Sequence, residues 1–177
     1  MRTEGVARLI DESCMTTVTT PAGSELIDLY RAGTQKLRES VHGLDDVQLR
    51  ATPVPGAWST LQVLCHLADS EMLFAERMKR VLAEDRPPLP FADPDLFMKA
   101  LACDARNAEE ELAVIEAVRR QMARILKAQP AEAWRRVGIH SREGERTLEQ
   151  LLQKAVDHLA HHLAFIREKR RALGVDA

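Results

Sequence analysis

Length, composition and charge indicate one globular domain and exclude several classes of protein. The chain has 177 residues, of which 45% are hydrophobic and 29% are charged, so it can bury a core and is not intrinsically disordered. Its net charge of −2 argues against nucleic acid or an anionic membrane surface as a partner. No apolar run reaches the ~18 residues that a membrane-spanning helix needs.

Cysteine usage and the N-terminal residues indicate where the protein works. The three cysteines, Cys14, Cys65 and Cys103, are widely spaced and form neither a CxxC motif nor an even set for disulfides, so a reducing, cytoplasmic location is expected. No secretory signal is visible. Residues 1–22 are poorly patterned, and we predict a loosely attached extension there, with Met15 as an alternative start, followed by one domain over residues 23–177.

Helix-forming residues dominate the rest of the chain. Leu, Ala, Glu, Arg and Gln are abundant while aromatic residues make up only 4%, which favours helices over strands. Proline and glycine then mark the breaks between helical segments. Four helices in one domain predict an all-α protein with a four-helix bundle. The predicted helices, in chain order, cover residues 24–42, 59–84, 94–128 (with a candidate break near 104–107) and 147–172.

Capping residues support the predicted helix ends. Ser59 with Gln62 and Thr147 with Gln150 have the spacing of capping boxes, and Asp93 precedes a proline at a first helical position. The segment 138–144, which begins and ends with glycine, is predicted as a loop before the last helix. Gly174 is predicted to stop that helix, since glycine readily adopts the left-handed conformation of a C-terminal cap.

The last predicted helix carries three histidines, and their helical positions differ. At about 100° per residue, His158 and His162 lie one turn apart at the edge of the apolar face, where two imidazoles can share a metal ion. His161 falls among charged residues on the solvated face. The same spacing also occurs by chance, so two hydrogen-bonded core histidines are the alternative interpretation.

The second predicted helix adds a histidine beside acidic residues. His66 lies outside the apolar face of this helix, near Asp69 and Glu71. Glu71 projects from the middle of the apolar face, where an unpaired carboxylate is unfavourable. It is therefore a candidate either to support a metal ligand or to form a buried ion pair.

Two sets of short motifs carry a resemblance to a known family. They are Pro55-Gly56-Ala57-Trp58-Ser59 with His66-Leu67-Ala68-Asp69, and Gly144-x-x-Thr147-Leu148 with His158-x-x-His161-His162. With these motifs, about residues 24–173 resemble the DinB-like superfamily of four-helix bundle metalloproteins. The resemblance implies one metal ligand on the second helix and an HxxxH pair on the last, which are His66, His158 and His162 in this sequence.

The resemblance implies an activity only in outline, because family members look like thiol-dependent transferases and a thiol-dependent isomerase. We expect a divalent-metal enzyme that activates a low-molecular-weight thiol or water, as a thiol S-transferase or hydrolase acting on a small molecule. Asp69, Glu71 and Arg77 are the candidate catalytic or substrate-orienting residues. The loops around Trp58, Phe91 and His140 are candidates for the rim of the pocket. Imidazole ligands do not choose among zinc, nickel, iron, copper and manganese.

Two non-enzymatic functions also fit the sequence. A non-enzymatic metal-binding or stress-response protein and a plain helical dimerisation module both fit a histidine-bearing bundle, and a homodimer is expected in either case. Two metal architectures are excluded by spacing. A di-iron carboxylate bundle needs Glu-x-x-His pairs, but the residues three positions before His66, His158 and His162 are Val63, Ala155 and Leu159. The HExxH motif of zinc proteases is also absent from the sequence.

Overall fold

A computed structural model describes residues 21–175 of the chain. Met15 and all but the last two residues of the predicted extension lie outside the described residues. Within this part of the chain, six α-helices are present, and none of them is long and apolar enough to cross a membrane. They are α1 (Pro21–Val41), α2 (Asp46–Arg50), α3 (Thr60–Ala83), α4 (Pro94–Ala100), α5 (Ala108–Lys127) and α6 (Leu148–Ala172).

The four long helices form the predicted four-helix bundle. Helix α1 packs against α5 and α6, and α3 packs against the same two helices. The order around the bundle is therefore α1, α5, α3, α6, with α1 diagonally opposite α3. This order makes α3 and α6 neighbours, which is what brings the histidines of the two helices to one interface.

Local capping explains where the helices begin. The capping boxes at Ser59 and Thr147 both form, and Asp93 accepts hydrogen bonds from two backbone N–H groups at the start of α4. Glycine at Gly174 has φ +69° and ends α6. Each of these predictions is confirmed, because a cap depends on residues three or four apart and is visible in the sequence.

The predicted third helix is two helices, separated at the candidate break. Ala102 has φ +47°, and a short 3-10 turn at Cys103–Ala105 follows it. Asn107 then accepts hydrogen bonds from the N–H groups of Glu109 and Glu110 and begins α5. An asparagine cap followed by acidic residues in the first turn favours a new helix here over a continuous one.

A three-stranded sheet lies where the sequence predicted proline-rich and glycine-rich loops. Strand β1 (Pro88–Leu89) pairs in parallel with β2 (Val137–His140), which pairs antiparallel with β3 (Gly144–Thr147). The loop prediction is wrong at both ends of the segment 138–144, because Gly138 lies in β2 and Gly144 begins β3. A Cβ on Gly138 would stand only 2.7 Å from a Leu89 methyl carbon, so glycine allows this close packing. Strands of two to four residues are too short to show an alternating pattern.

One buried ion pair connects all four helices of the bundle. Arg119 on α5 lies 2.7 Å from the Glu71 carboxylate on α3 and donates to the backbone carbonyls of Tyr30 on α1 and Ala155 on α6. The Tyr30 hydroxyl donates to the other Glu71 oxygen. Burial and the Glu71 charge raise the pKa of Tyr30, which keeps this hydroxyl a donor. Gly33 leaves room for the guanidinium, because a Cβ there would lie 2.5 Å from Arg119 Nη1.

Substitution of Arg119 should destabilise the bundle strongly. Arg119→Met leaves the Glu71 carboxylate buried without its partner, and we expect the free energy of unfolding in urea to fall by about 3–5 kcal/mol. The control is Arg120→Met, since Arg120 is exposed and pairs with Glu116 at 3.7 Å; it should cost less than about 1 kcal/mol. Adding Glu71→Gln to Arg119→Met should restore part of the loss. Similar losses for Arg119→Met and Arg120→Met would contradict this role.

Candidate metal centre

Three histidines from two neighbouring helices converge at one point. His66 on α3 and His158 and His162 on α6 each place one ring nitrogen within 4.8 Å of the others. The Nε2 atoms of His66 and His158 are 2.9 Å apart. The structure thus brings together the three histidines that the sequence singled out, and it leaves His161 exposed against the ring of Phe165.

Burial sets the charge of these histidines. It is the largest cause of the lowered pKa of His66, and it brings the pKa of His158 to about 3 and that of His162 to about 4. Neighbouring imidazoles add to the shift of His158 and His162, whereas the Asp69 carboxylate opposes it at His66. The three rings are therefore neutral at pH 7, which is the form that ligates a metal.

The polar atoms of the cluster fit a metal ion. His162 Nδ1 is buried and has no hydrogen-bond partner within residues 21–175, and an unsatisfied buried nitrogen is costly unless something binds it. His66 Nε2 and His158 Nε2 face each other, so at most one of two neutral rings can donate to the other. Three neutral nitrogen donors suit a divalent transition metal.

A mostly apolar cavity of about 180 Å³ opens beside two of the three histidines. Of the predicted rim residues, Phe91 lines this cavity, and His140 lies behind it with ring centroids 6.5 Å apart. Trp58 contacts the His66 ring and lines a separate cavity with His162. The residues of the first cavity are His66, Asp69, Ser70, Leu73, Phe74, Arg77, Phe91, Ala92, Pro94, Phe97, Lys154 and His158.

Asp69 lines this cavity with its carboxylate held in a fixed position. Arg106 donates to both oxygens, at 2.9 and 3.0 Å, and also binds Glu111. Sequence reasoning missed Arg106 and Glu111. Arg106 lies in the break before α5, and its partner Asp69 is 37 residues away, so no local spacing pattern indicates the pair.

The other two candidate catalytic residues lie in different surroundings. Glu71 does not reach the cavity, because its side chain points into the bundle and both oxygens bind Tyr30 and Arg119. Of the two alternatives that the sequence left for Glu71, the structure has the buried ion pair, so its expected catalytic role is corrected to a place in the bundle interior. Arg77 does line the cavity, and its Nη2 donates to the Pro90 carbonyl at 2.7 Å.

Comparison with known proteins places the chain in a family. The sequence model that describes the DinB superfamily matches residues 29–166 of this chain. The chain belongs to the DinB superfamily. This family assignment and the bundle topology agree with the resemblance found in the sequence motifs.

Similar proteins carry names that refer to metal-dependent hydrolysis. A protein of Geobacillus kaustophilus is 32% identical over 152 residues, covering 85% of each chain, and YfiT of Bacillus subtilis is 29% identical over 140 residues, covering 78% of this chain and 79% of YfiT. Both are named "Putative metal-dependent hydrolase". The solved structure of YfiT, described as having "an unusual four-helix bundle topology", matches with a TM-score of 0.83 at 25% identity, covering 91% of this chain and 93% of the other.

Metal-dependent relatives and the histidine cluster together support a divalent metal for this DinB-superfamily protein. The identity of the metal and a thiol cofactor stay predictions. The cluster is the feature that a metal would need, and the cavity beside it is the space that a small substrate would need.

Without metal, the buried histidines should make stability depend on pH. Folding lowers the pKa of His158 to about 3 and of His162 to about 4, below the ~6.5 of an unfolded chain, so the unfolded chain binds more protons between these values. The free energy of unfolding of chelator-treated protein should therefore be fully retained above about pH 6.5 and fall as the pH decreases toward about 4. Urea titrations at several pH values measure this slope.

Two variants give the matched comparison for this pH dependence. His158→Gln removes one buried titrating ring and should make the slope shallower. His161→Gln changes the exposed neighbour and should leave the slope as in the wild type. Equal slopes for His158→Gln and the wild type would contradict the assignment.

Proposed function

We propose that the protein is a divalent-metal-dependent enzyme that activates water or a low-molecular-weight thiol at His66, His158 and His162. It would act as a hydrolase or a thiol S-transferase on a small-molecule substrate. The observation that carries the proposal is the convergence of three imidazole nitrogens within 4.8 Å beside an apolar cavity. The names of the relatives support the hydrolase form of the proposal.

The number of ligands supports catalysis over a purely structural role. Structural zinc sites usually use four protein ligands, whereas catalytic sites use three and keep a position for water or substrate. His66, His158 and His162 would hold a divalent ion, which when bound would lower the pKa of water toward neutrality or favour the thiolate form of a thiol. Because burial lowers the pKa of the three rings, they are neutral at pH 7 and can bind the ion.

Other residues of the chain have supporting parts in this proposal. Asp69 lies one turn after His66, and its negative charge raises the pKa of that ring. Because Arg106 binds both oxygens of Asp69, the carboxylate is held in place and suited to an electrostatic role. Phe74 and Phe91 line one side of the cavity, and apolar rings beside a reacting group strengthen electrostatic interactions there by keeping water away.

A non-enzymatic metal-binding or stress-response protein is the second candidate. One ligand comes from α3 and two come from α6, so a bound ion would also cross-link two helices of the bundle. This function predicts a large drop in melting temperature on chelation and no turnover with any thiol or ester. A homodimer stays a prediction for both candidates.

Metal analysis tests the proposed site directly. Full-length protein purified without added metal is analysed by inductively coupled plasma mass spectrometry, alongside His158→Ala and the matched control His161→Ala. We expect about one ion per chain in the wild type and in His161→Ala, and at least a tenfold loss in His158→Ala. The proposal would be wrong if the wild type held no stoichiometric metal, both as purified and after loading with zinc, nickel, iron, copper and manganese.

Turnover assays then separate the two chemical forms. Hydrolysis of aryl esters without thiol supports the hydrolase, and turnover of an electrophile only with glutathione, bacillithiol or mycothiol supports the transferase. Metal binding without turnover in either assay favours the non-enzymatic candidate.

A further inference from the structure

The cavity beside His66 and His158 has a shape and lining that restrict the substrate. Its volume is about 180 Å³, close to the ~150 Å³ of an apolar cavity that holds one benzene ring. The rings of Phe74, Phe91 and Phe97 form much of its wall. The cavity therefore suits a small molecule with one aromatic ring or a short alkyl chain.

The charged residues that line this cavity are Asp69, Arg77 and Lys154, and one of the two cations has no carboxylate partner in the described part of the chain. Asp69 is paired with Arg106, and Lys154 is paired with Glu143. Arg77 lines the cavity, and within residues 21–175 it has no ion pair.

Nearby acidic groups do not neutralise Arg77. Glu143 acts on Arg77 through space, but its oxygens already bind Lys154 and Arg146. Glu76 is exposed on the same helix and lies 3.6 Å from Arg80. Arg77 is half-buried, and burial lowers its pKa, which is the cost that an anionic partner would offset.

Arg77 and His66 both line the cavity and lie on one stripe of α3. They are eleven residues apart, which returns to nearly the same helical face. Ser70 and Leu73 lie between them on this stripe and also line the cavity. A ligand along the stripe would have one end at the histidines and the other at the guanidinium.

We propose that the substrate is a small monocarboxylate whose apolar body packs on the phenylalanine rings and whose carboxylate pairs with Arg77. This inference rests on the proposed function, because it places the reacting bond at the histidine end of the cavity. A guanidinium and a carboxylate form paired, charge-assisted hydrogen bonds, which fix orientation as well as adding affinity. Arg77 then selects acids over their neutral amides.

Binding of a matched acid and amide tests this selectivity without turnover. Full-length protein as purified is titrated with 3-phenylpropionate and with 3-phenylpropanamide, and the dissociation constants are measured by NMR chemical-shift changes. We expect the acid to bind about tenfold more tightly. Arg77→Met should remove this preference, and Arg77→Lys should keep part of it, since lysine retains the charge but not the planar pair of donors.

Matched controls distinguish selectivity from other roles. Arg80→Met changes a partly exposed arginine on the same helix that pairs with Glu84, and it should keep the preference for the acid. If Arg77 only holds the Pro90 loop through its hydrogen bond, Arg77→Met should weaken acid and amide equally, which would overturn the proposal. Equal binding of the two probes to the wild type, or no binding of either, would also overturn it.

Failure of this inference can be told apart from failure of the proposed function. A carboxylate bound by the metal would keep its preference in Arg77→Met and lose it in His158→Ala or after chelation, and this result rejects the role of Arg77 alone. Acid selectivity that depends on Arg77 and survives chelation supports the inference, whatever the metal analysis shows.

Discussion

The Glu71–Arg119 ion pair is the interaction on which the geometry of the site depends. It joins α3 and α5 directly and reaches α1 and α6 through backbone carbonyls. The α6 carbonyl belongs to Ala155, one turn before His158, and Glu71 lies about one turn after His66 on α3. A shift of either helix would break hydrogen bonds to a buried charge, which is costly. The ion pair therefore fixes the register in which the histidines meet.

The buried polar groups of the ion pair have partners within the protein, whereas those of the histidine cluster do not all have one among the described residues. Arg119 and Glu71 are charged and find their partners within the protein. The histidines stay neutral, and His162 keeps a buried nitrogen without a hydrogen-bond partner in the described part of the chain. The Glu71–Arg119 ion pair needs no ligand, because each charge already has a partner. The histidine cluster has a nitrogen that is free to bind a ligand, which is typical of a functional site.

The charged residues that line the cavity show the same difference between paired and unpaired groups. Asp69 is neutralised by Arg106, whereas Arg77 has no ion pair within residues 21–175. The lining of the cavity thus combines neutral imidazoles, a cation without an ion pair and the rings of three phenylalanines. An arrangement of this kind orients a molecule with two different ends. Orientation matters as much as affinity, since reaction requires the right bond beside the reacting group.

The sequence by itself determined the four-helix bundle, the helix caps and the pair His158 and His162, because helical periodicity and capping depend on residues close in the chain. His66 was implied by the resemblance to the DinB-like superfamily. The sequence also determined the family through short motifs around His66 and His158. Tertiary structure alone decided that Glu71 pairs with Arg119 inside the bundle, that Arg106 holds Asp69, and that short strands replace predicted loops. The two ion pairs join residues 37 and 48 positions apart, and local spacing carries no signal for contacts of that kind. The strands have two to four residues each, which is too short for an alternating pattern to show in the sequence.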